Sequence, residues 1–185
     1  MRLWIDDLEG LLGLLEIGAV ELHPWNAIVD DIEHADRLVI DLDPGKGVPW
    51  DFVVQTALKM RHILHAEGLK SWPKLTGSKG IHVMAPFPEA MTHNAARAYA
   101  RGLAQTLART NSDRYLMSAE PAGRVGRIFL DYLRNGRGNT AIGAWSPRAR
   151  PGFPVAAPVT WKQVEQGIRA DAFSMGSPFR RRGEK

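Results

Sequence analysis

Asp41-Leu42-Asp43 closes the apolar run Leu38-Val39-Ile40 and is followed at once by Pro44-Gly45. In an extended strand alternate side chains face opposite ways, so Leu38, Ile40 and Leu42 line one face while Asp41 and Asp43 share the other. Two carboxylates reaching one point repel each other unless a cation lies between them. Taken alone, the pair is better explained as a strand end with two solvated aspartates before a turn. A third acid changes the balance. In Arg127-Ile128-Phe129-Leu130-Asp131-Tyr132-Leu133, Ile128 and Leu130 face one way and Phe129 and Asp131 the other. An unpaired charge inside an apolar strand is costly, and its partner is either an arginine, Arg127 or Arg134, or a metal ion. Three carboxylates from two strands form an oxygen donor set for hard cations. That is enough for the two-ion arrangement, with ions about 4 Å apart, that serves phosphoryl transfer. All three together favour metal.

Lys74-Leu75-Thr76-Gly77-Ser78-Lys79-Gly80-Ile81-His82 is the second candidate. Two glycines flanking a hydroxyl and an ammonium leave backbone N–H groups open, which suits a phosphate cradle. It is not a Walker A loop, because Lys74 stands where the first glycine should be; an ordinary hairpin turn is the simpler explanation of the glycines alone. His82 alternates with Ile81 and Val83 and so faces the polar side, within reach of phosphate or metal. Arg134 to Asn139 and Ser146-Pro147-Arg148-Ala149-Arg150 add guanidinium forks of the kind that grip triphosphate oxygens, although single arginines more often serve as surface charge. His62 and His65 read as surface or packing residues.

These groups need elements to hold them. Ile5, Leu8, Leu11, Leu12 and Leu15 recur at helical spacing over residues 5–17, with Gly18 as a stop. Val20 to His23 alternates as a strand would, ended by Pro24. Residues 37–43 read as a strand. Pro49 then opens a helix carrying Phe52, Val53, Ala57, Met60, Ile63 and Leu64 and ending at Gly68. Ser71 to Leu75 and Gly80 to Ala85 are short strands around the glycine turn. A second helix from about Thr92 buries Ala96, Tyr99, Ala100, Leu103 and Leu107, and residues 127–133 form another strand. Pro147, Pro151, Pro154 and Pro158 make residues 146–159 an irregular surface loop. Thr160-x-x-Gln163 is a capping box that starts a last short helix. Strands and helices without regular alternation indicate an α+β class.

The chain has 185 residues, 44% hydrophobic and 24% charged, which suits one domain with its own core. Without cysteine there is neither a disulfide nor a thiolate zinc site. Acids interrupt the apolar N-terminal residues, so neither a signal peptide nor a membrane span is expected, and the expected location is the cytoplasm. The pI of about 9.6 overstates the basic character. Most of the net +4 comes from Arg180, Arg181, Arg182 and Lys185, set against Glu184, and the body is close to neutral. Residues 1–175 are expected to form a single catalytic domain and 176–185 a flexible basic tail.

Glu21-Leu-His23-Pro-Trp25, Leu38-Val-Ile-Asp41-Leu-Asp43-Pro-Gly45, Thr76 to His82, Gly126 to Asn135 and Ser146 to Pro151 follow one another in a known order. Together they closely resemble the polymerase domain of bacterial DNA ligase D, in the archaeo-eukaryotic primase superfamily, from about Leu8 to Phe173. The resemblance implies a primase-type core with a mixed or antiparallel, RNA-recognition-like sheet flanked by helices. It also implies metal-dependent nucleotidyl transfer that adds ribonucleotides to DNA 3′ ends during non-homologous end joining. Two divalent ions are implied, manganese in preference to magnesium. Asp41, Asp43 and Asp131 would be both the metal ligands and the catalytic acids. Thr76, Ser78, Lys79, His82, Arg148 and His23 would bind the nucleotide, with Thr76 replacing the usual serine. The implied partners are DNA ends or gapped DNA, a nucleoside triphosphate, the end-binding protein Ku and a ligase domain on another chain; no membrane partner is implied.

Relative to the family, the chain is expected to lack an N-terminal portion that grips the DNA 5′-phosphate, along with the ligase and phosphoesterase domains. The alternative is therefore a catalytically incomplete remnant that binds nucleotide or a partner. A metal-dependent phosphohydrolase ranks last, because Gly45 stands where the common phosphatase pattern carries a hydroxyl residue.

Overall fold

The computed structural model describes residues 3–120 and 123–176. Its centre is a six-stranded mixed sheet in the order β4-β5-β1-β3-β2-β6. The strands are β1 (His34–Pro44), β2 (Trp72–Leu75), β3 (Ile81–Thr92), β4 (Tyr115–Leu116), β5 (Ile128–Asp131) and β6 (Ala157–Pro158). Every neighbouring pair is antiparallel except β4 with β5. The helices are α1 (Leu8–Glu16), α2 (Trp50–Ala66), α3 (His93–Ala108) and α4 (Trp161–Glu165). This is the α+β architecture that the mixed strand and helix pattern indicates.

Period-2 alternation divides the sheet into two unlike faces. Leu38, Ile40 and Leu42 of β1, Ile81 and Val83 of β3 and Ile128 and Leu130 of β5 join one core with α2 and α3. From α2 come Val53, Ala57, Met60 and Leu64, at helical spacing, and from α3 Ala96, Ala100, Leu103 and Leu107. The opposite face carries only a small apolar cluster of Val39, Met84 and Ala141. Phe129, opposite Asp43, is also buried there. Polar residues Asp41, Asp43, Lys74, His82 and Asp131 hold the centre of this face, and the candidate site lies there.

Several element boundaries differ from the sequence expectation. Val20 to His23 is not a strand: Leu22 N–H donates to Ser146 Oγ at 2.8 Å and Leu22 C=O accepts from Gly143 at 2.7 Å, so the segment is held by loop contacts. The strand expected over 127–133 stops at Asp131, where the Asp131 carboxylate accepts from Leu133 N–H at 2.9 Å and a 3-10 turn, Leu133–Asn135, begins. Residues 146–159 are not wholly a surface loop. Val155, Ala156 and Ala157 are buried, and β6 pairs with β2. The helix near the N-terminus forms over 8–16, capped by Asp7, yet it buries no residue, and Leu8 is 68% exposed. The capping box at Thr160 and Gln163 is present with both of its reciprocal bonds. Arg180 to Lys185, read as a basic tail, lie outside the described residues.

Candidate active site on the open face of the sheet

Strand register assembles the site. Asp41 lies opposite His82 of β3 on one side and opposite Asp131 of β5 on the other, and Lys74 of β2 lies opposite His82. Directly opposed residues share a face and place their Cβ atoms about 5 Å apart. Asp131, Asp41, His82 and Lys74 thus form one polar row across four strands, on the face away from α2 and α3. Asp43 stands one pleat further along β1, opposite Phe129.

The glycine turn is locked at one end of this row. Thr76 Oγ donates to Gly80 C=O and accepts from Gly80 N–H, both at 3.1 Å. Gly77 has φ of +66°, and a Cβ there would lie 2.8 Å from the Val155 carbonyl carbon; at Gly80 a Cβ would lie 2.5 Å from Leu42 O. Glycine is therefore required at both positions, because the turn is wedged between β1 and the 155–156 segment. Lys79 reaches from it to Asp43, with Nζ 2.8 Å from Oδ1, and also donates to Pro44 C=O at 3.0 Å. Ser78 lines the cavity beside it.

His23 and Arg148 come from distant loops and are joined by Glu21. Glu21 Oε2 lies 2.9 Å from His23 Nε2, while Oε1 accepts from Ala149 N–H at 3.0 Å and lies 3.2 Å from Arg148 Nε. Partial burial pushes the Glu21 carboxyl up, but the His23 contact, the Ala149 N–H and Arg148 outweigh it and hold the pKa below the usual range.

These groups surround a cavity of about 190 Å³ lined by His23, Asp41, Asp43, Thr76, Ser78, Lys79, His82, Arg134 and Arg148, with Arg150 at its edge. Cations engage each acid. Arg124 donates to Asp43 Oδ2 at 2.8 Å, and Arg134 Nε lies 2.9 Å from Asp131 Oδ2 and 3.5 Å from Asp41 Oδ2. Burial pushes the Asp41 carboxyl up, yet His82 and then Arg134 and Lys74 outweigh it, so it stays below its usual range. Burial raises Asp131, with Arg134 opposing and the Asp41 and Asp43 charges adding to the rise. Burial also lowers His82 against the pull of Asp41, and it lowers Lys74 to about 8.

In donor chemistry the three carboxylates fit a hard divalent ion: they are oxygen ligands on one face, close enough for Asp131 to feel both other charges. His82 Nδ1 is buried with no hydrogen-bond partner among the described residues, an unsatisfied atom of the kind a ligand completes. As arranged, however, no three His, Asp or Glu side chains among the described residues form a ready metal cage. The acids turn toward Lys79, Arg124 and Arg134 instead, and these cations must give way for an ion to enter.

The acids, the glycine-turn residues, His23, His82, Arg134, Arg148 and Arg150 lie around this one cavity or, for Asp131, in the row beneath it, whereas Arg137 of the Arg134 to Asn139 stretch turns away to pair with Glu33. The Thr76 hydroxyl is spent on locking the turn. Asp131 meets Arg134, the arginine partner considered for it from the sequence. Sequence reasoning missed three participants. Arg124 on Asp43 has no periodic cue. Glu21 could have been suspected from standing two residues before His23. Lys74, 4% exposed, donates to Ile142 C=O and was legible only as the polar position before Leu75 in a strand.

Among the described residues no helix is long and apolar enough to cross a membrane. The chain is 35% identical over 175 residues to the multifunctional non-homologous end joining protein LigD of Pseudomonas aeruginosa, covering 95% of this chain and 21% of that protein. It is 30% identical over 172 residues to the bifunctional LigD of Bacillus subtilis, covering 92% and 28%. The polymerase domain from Mycobacterium tuberculosis ligase D, solved in complex with DNA, superposes with a TM-score of 0.81 at 32% identity, over 88% of this chain and 60% of that one. The chain thus spans about a fifth to just over a quarter of the length of these curated relatives. The family model for the LigD primase-polymerase domain matches residues 1–185, and with the acid-bearing strands and glycine turn in place the chain belongs to the LigD primase-polymerase domain family.

Proposed function

We propose that this cavity binds a nucleoside triphosphate with divalent cations and adds nucleotides, ribonucleotides in preference, to DNA 3′ ends during non-homologous end joining. The observation that carries this reading is the cross-strand pairing of Asp41 with Asp131 beside a glycine turn that presents Ser78 and Lys79 to the same cavity. Acids for cations and cations for phosphates stand side by side, as phosphoryl transfer requires.

Asp41, Asp43 and Asp131 would hold two divalent ions, manganese in preference to magnesium, which supply charge neutralisation and acidify the attacking hydroxyl. Ser78, Lys79, His82, Arg148 and His23 would orient the triphosphate. Burial lowers the His82 pKa against the pull of Asp41, which favours the neutral imidazole and a hydrogen bond given without added charge. Glu21 fixes Arg148 and His23 relative to each other, so the guanidinium fork meets phosphate oxygens in one orientation. The bond from the 3′-oxygen to the α-phosphorus forms as the bond to pyrophosphate breaks, and Lys79 and Arg148 offset charge on the leaving group. DNA ends or gapped DNA, Ku and a ligase domain would be its partners, in the cytoplasm.

A second reading is nucleotide binding without extension, in which Lys79, Arg124 and Arg134 would keep their contacts with the three acids. Primer extension on gapped, 5′-phosphorylated DNA with manganese and ribonucleotides separates the two. Extension that vanishes in Asp41→Ala/Asp43→Ala supports the polymerase. Nucleotide binding without extension supports the second reading, and extension that survives the double substitution rejects the site.

A further inference from the structure

The catalytic cavity continues past the glycine turn. Ser78 and Lys79 form a wall shared with a second cavity of about 500 Å³, bordered further on by Lys46, Trp50 and Arg169. Lys46 and Arg169 are exposed, and neither pairs with a carboxylate among the described residues. The Arg169 guanidinium lies over the Trp50 ring at 5.6 Å. Trp50 Nε1 in turn donates to Gly167 and Ile168 carbonyls at 3.3 and 3.1 Å, which fixes the Arg169 segment against the start of α2. Asp171 is the acid of this lining, outnumbered by Lys46, Lys79 and Arg169. The cations of the first cavity are differently disposed: Arg134 and Arg148 are each spent on a carboxylate. Lys79 is held by Asp43 at 2.8 Å, so Lys46 and Arg169 are the unneutralised cations here. In a body close to neutral, such a pair joined to the triphosphate end of the site has a direction: it extends the anion path.

We propose that this second cavity binds a phosphate group adjoining the nucleotide triphosphate, either the pyrophosphate released by the reaction or a backbone phosphate of the nucleic-acid strand. This rests on the nucleotide reading of the first cavity. Both sources present tetrahedral phosphate oxygens to Lys46 and Arg169, and Lys79 stands between the two cavities.

The test titrates the full chain and Lys46→Ala/Arg169→Ala with three probes. These are sodium pyrophosphate, a fluorescein-labelled single-stranded oligonucleotide at several salt concentrations, and a ribonucleoside triphosphate with manganese. Nucleotide affinity is expected to change less than about threefold. Loss of about tenfold for pyrophosphate assigns the cavity to the leaving group. A similar loss for the oligonucleotide, with a salt slope shallower by about one to two, assigns it to the strand backbone. Lys46→Glu, at an exposed position where charge reversal leaves the fold intact, must weaken the same probe. Unchanged affinity for both phosphate probes overturns the proposal. Failure of the unsubstituted chain to bind nucleotide overturns the proposed function separately, whatever the phosphate probes show.

Discussion

The two faces of β1 are built from alternate residues of one strand and do opposite work. Leu38, Ile40 and Leu42 are fully buried beneath α2 and α3. Asp41 and Asp43, interleaved with them, turn to the open face, where Asp41 meets His82, Arg134 and the Asp131 row. The apolar face gains by leaving water, at about 25 cal/mol per Å² of apolar surface. The polar face costs desolvation and like-charge repulsion, visible in the raised pKa of Asp131. One strand can carry both because the register that buries the leucines is the register that aligns the acids. A one-residue slip would exchange the faces and lose the core and the site together.

The largest way to break the comparison is on the polar side. Asp41→Ala/Asp43→Ala should lower primer extension by more than about a thousandfold, roughly 4 kcal/mol of transition-state stabilisation, while urea denaturation shows a fold as stable as the parent within about 1 kcal/mol. On the apolar side the effects should reverse. Ile40→Ala should cost about 2–5 kcal/mol of unfolding free energy, and nucleotide affinity measured well below the melting transition should stay within about threefold. Comparable loss of both properties in both variants would show that the faces are not separable.

Two further predictions sharpen it. Arg148→Ala should weaken nucleotide binding by about tenfold, near 1.4 kcal/mol, and Glu21→Gln by less, because it removes the anchor rather than the fork; calorimetric titration reads both. Lys74 supplies a pH signature. Its folded pKa of about 8 lies below its ordinary 10.5, so between these values the unfolded chain binds more protons and stability should rise with pH. The rise is at most about 3 kcal/mol and should be complete by about pH 10.5. Denaturation midpoints of Lys74→Met should lack it, and a parent curve falling over that window would contradict the burial of a charged lysine.

The helices add a second lesson. α1 and α3 both present apolar residues at helical spacing, but α3 buries Ala96, Ala100, Leu103 and Leu107 while α1 buries none. Periodicity states which face wants cover, and only packing states whether cover exists. For the same reason Val20 to His23 alternates like a strand without being one: its backbone groups are met by Ser146 and Gly143 rather than by a ladder.

The alternation in 37–43 and 127–133, the helix over 50–66, the turn at Thr76 to Gly80 and the capping box at Thr160 were legible in the amino-acid sequence, because each is set by contacts within a few residues. Those local rules also determined that Asp41 and Asp43 share a face. They could not say that Asp131, His82 and Lys74 complete a single row, since that depends on pairings between strands far apart in sequence. Nor could they place Arg124 on Asp43 or seat Glu21 between His23 and Arg148. The sequence by itself determined the main helices, the central strands and the chemical types on their faces, but not the short strands β4 and β6 or the loop course of Val20 to His23. Tertiary structure alone decided which charges meet, because charge pairing depends on distance in space, and that distance is fixed only when the sheet closes.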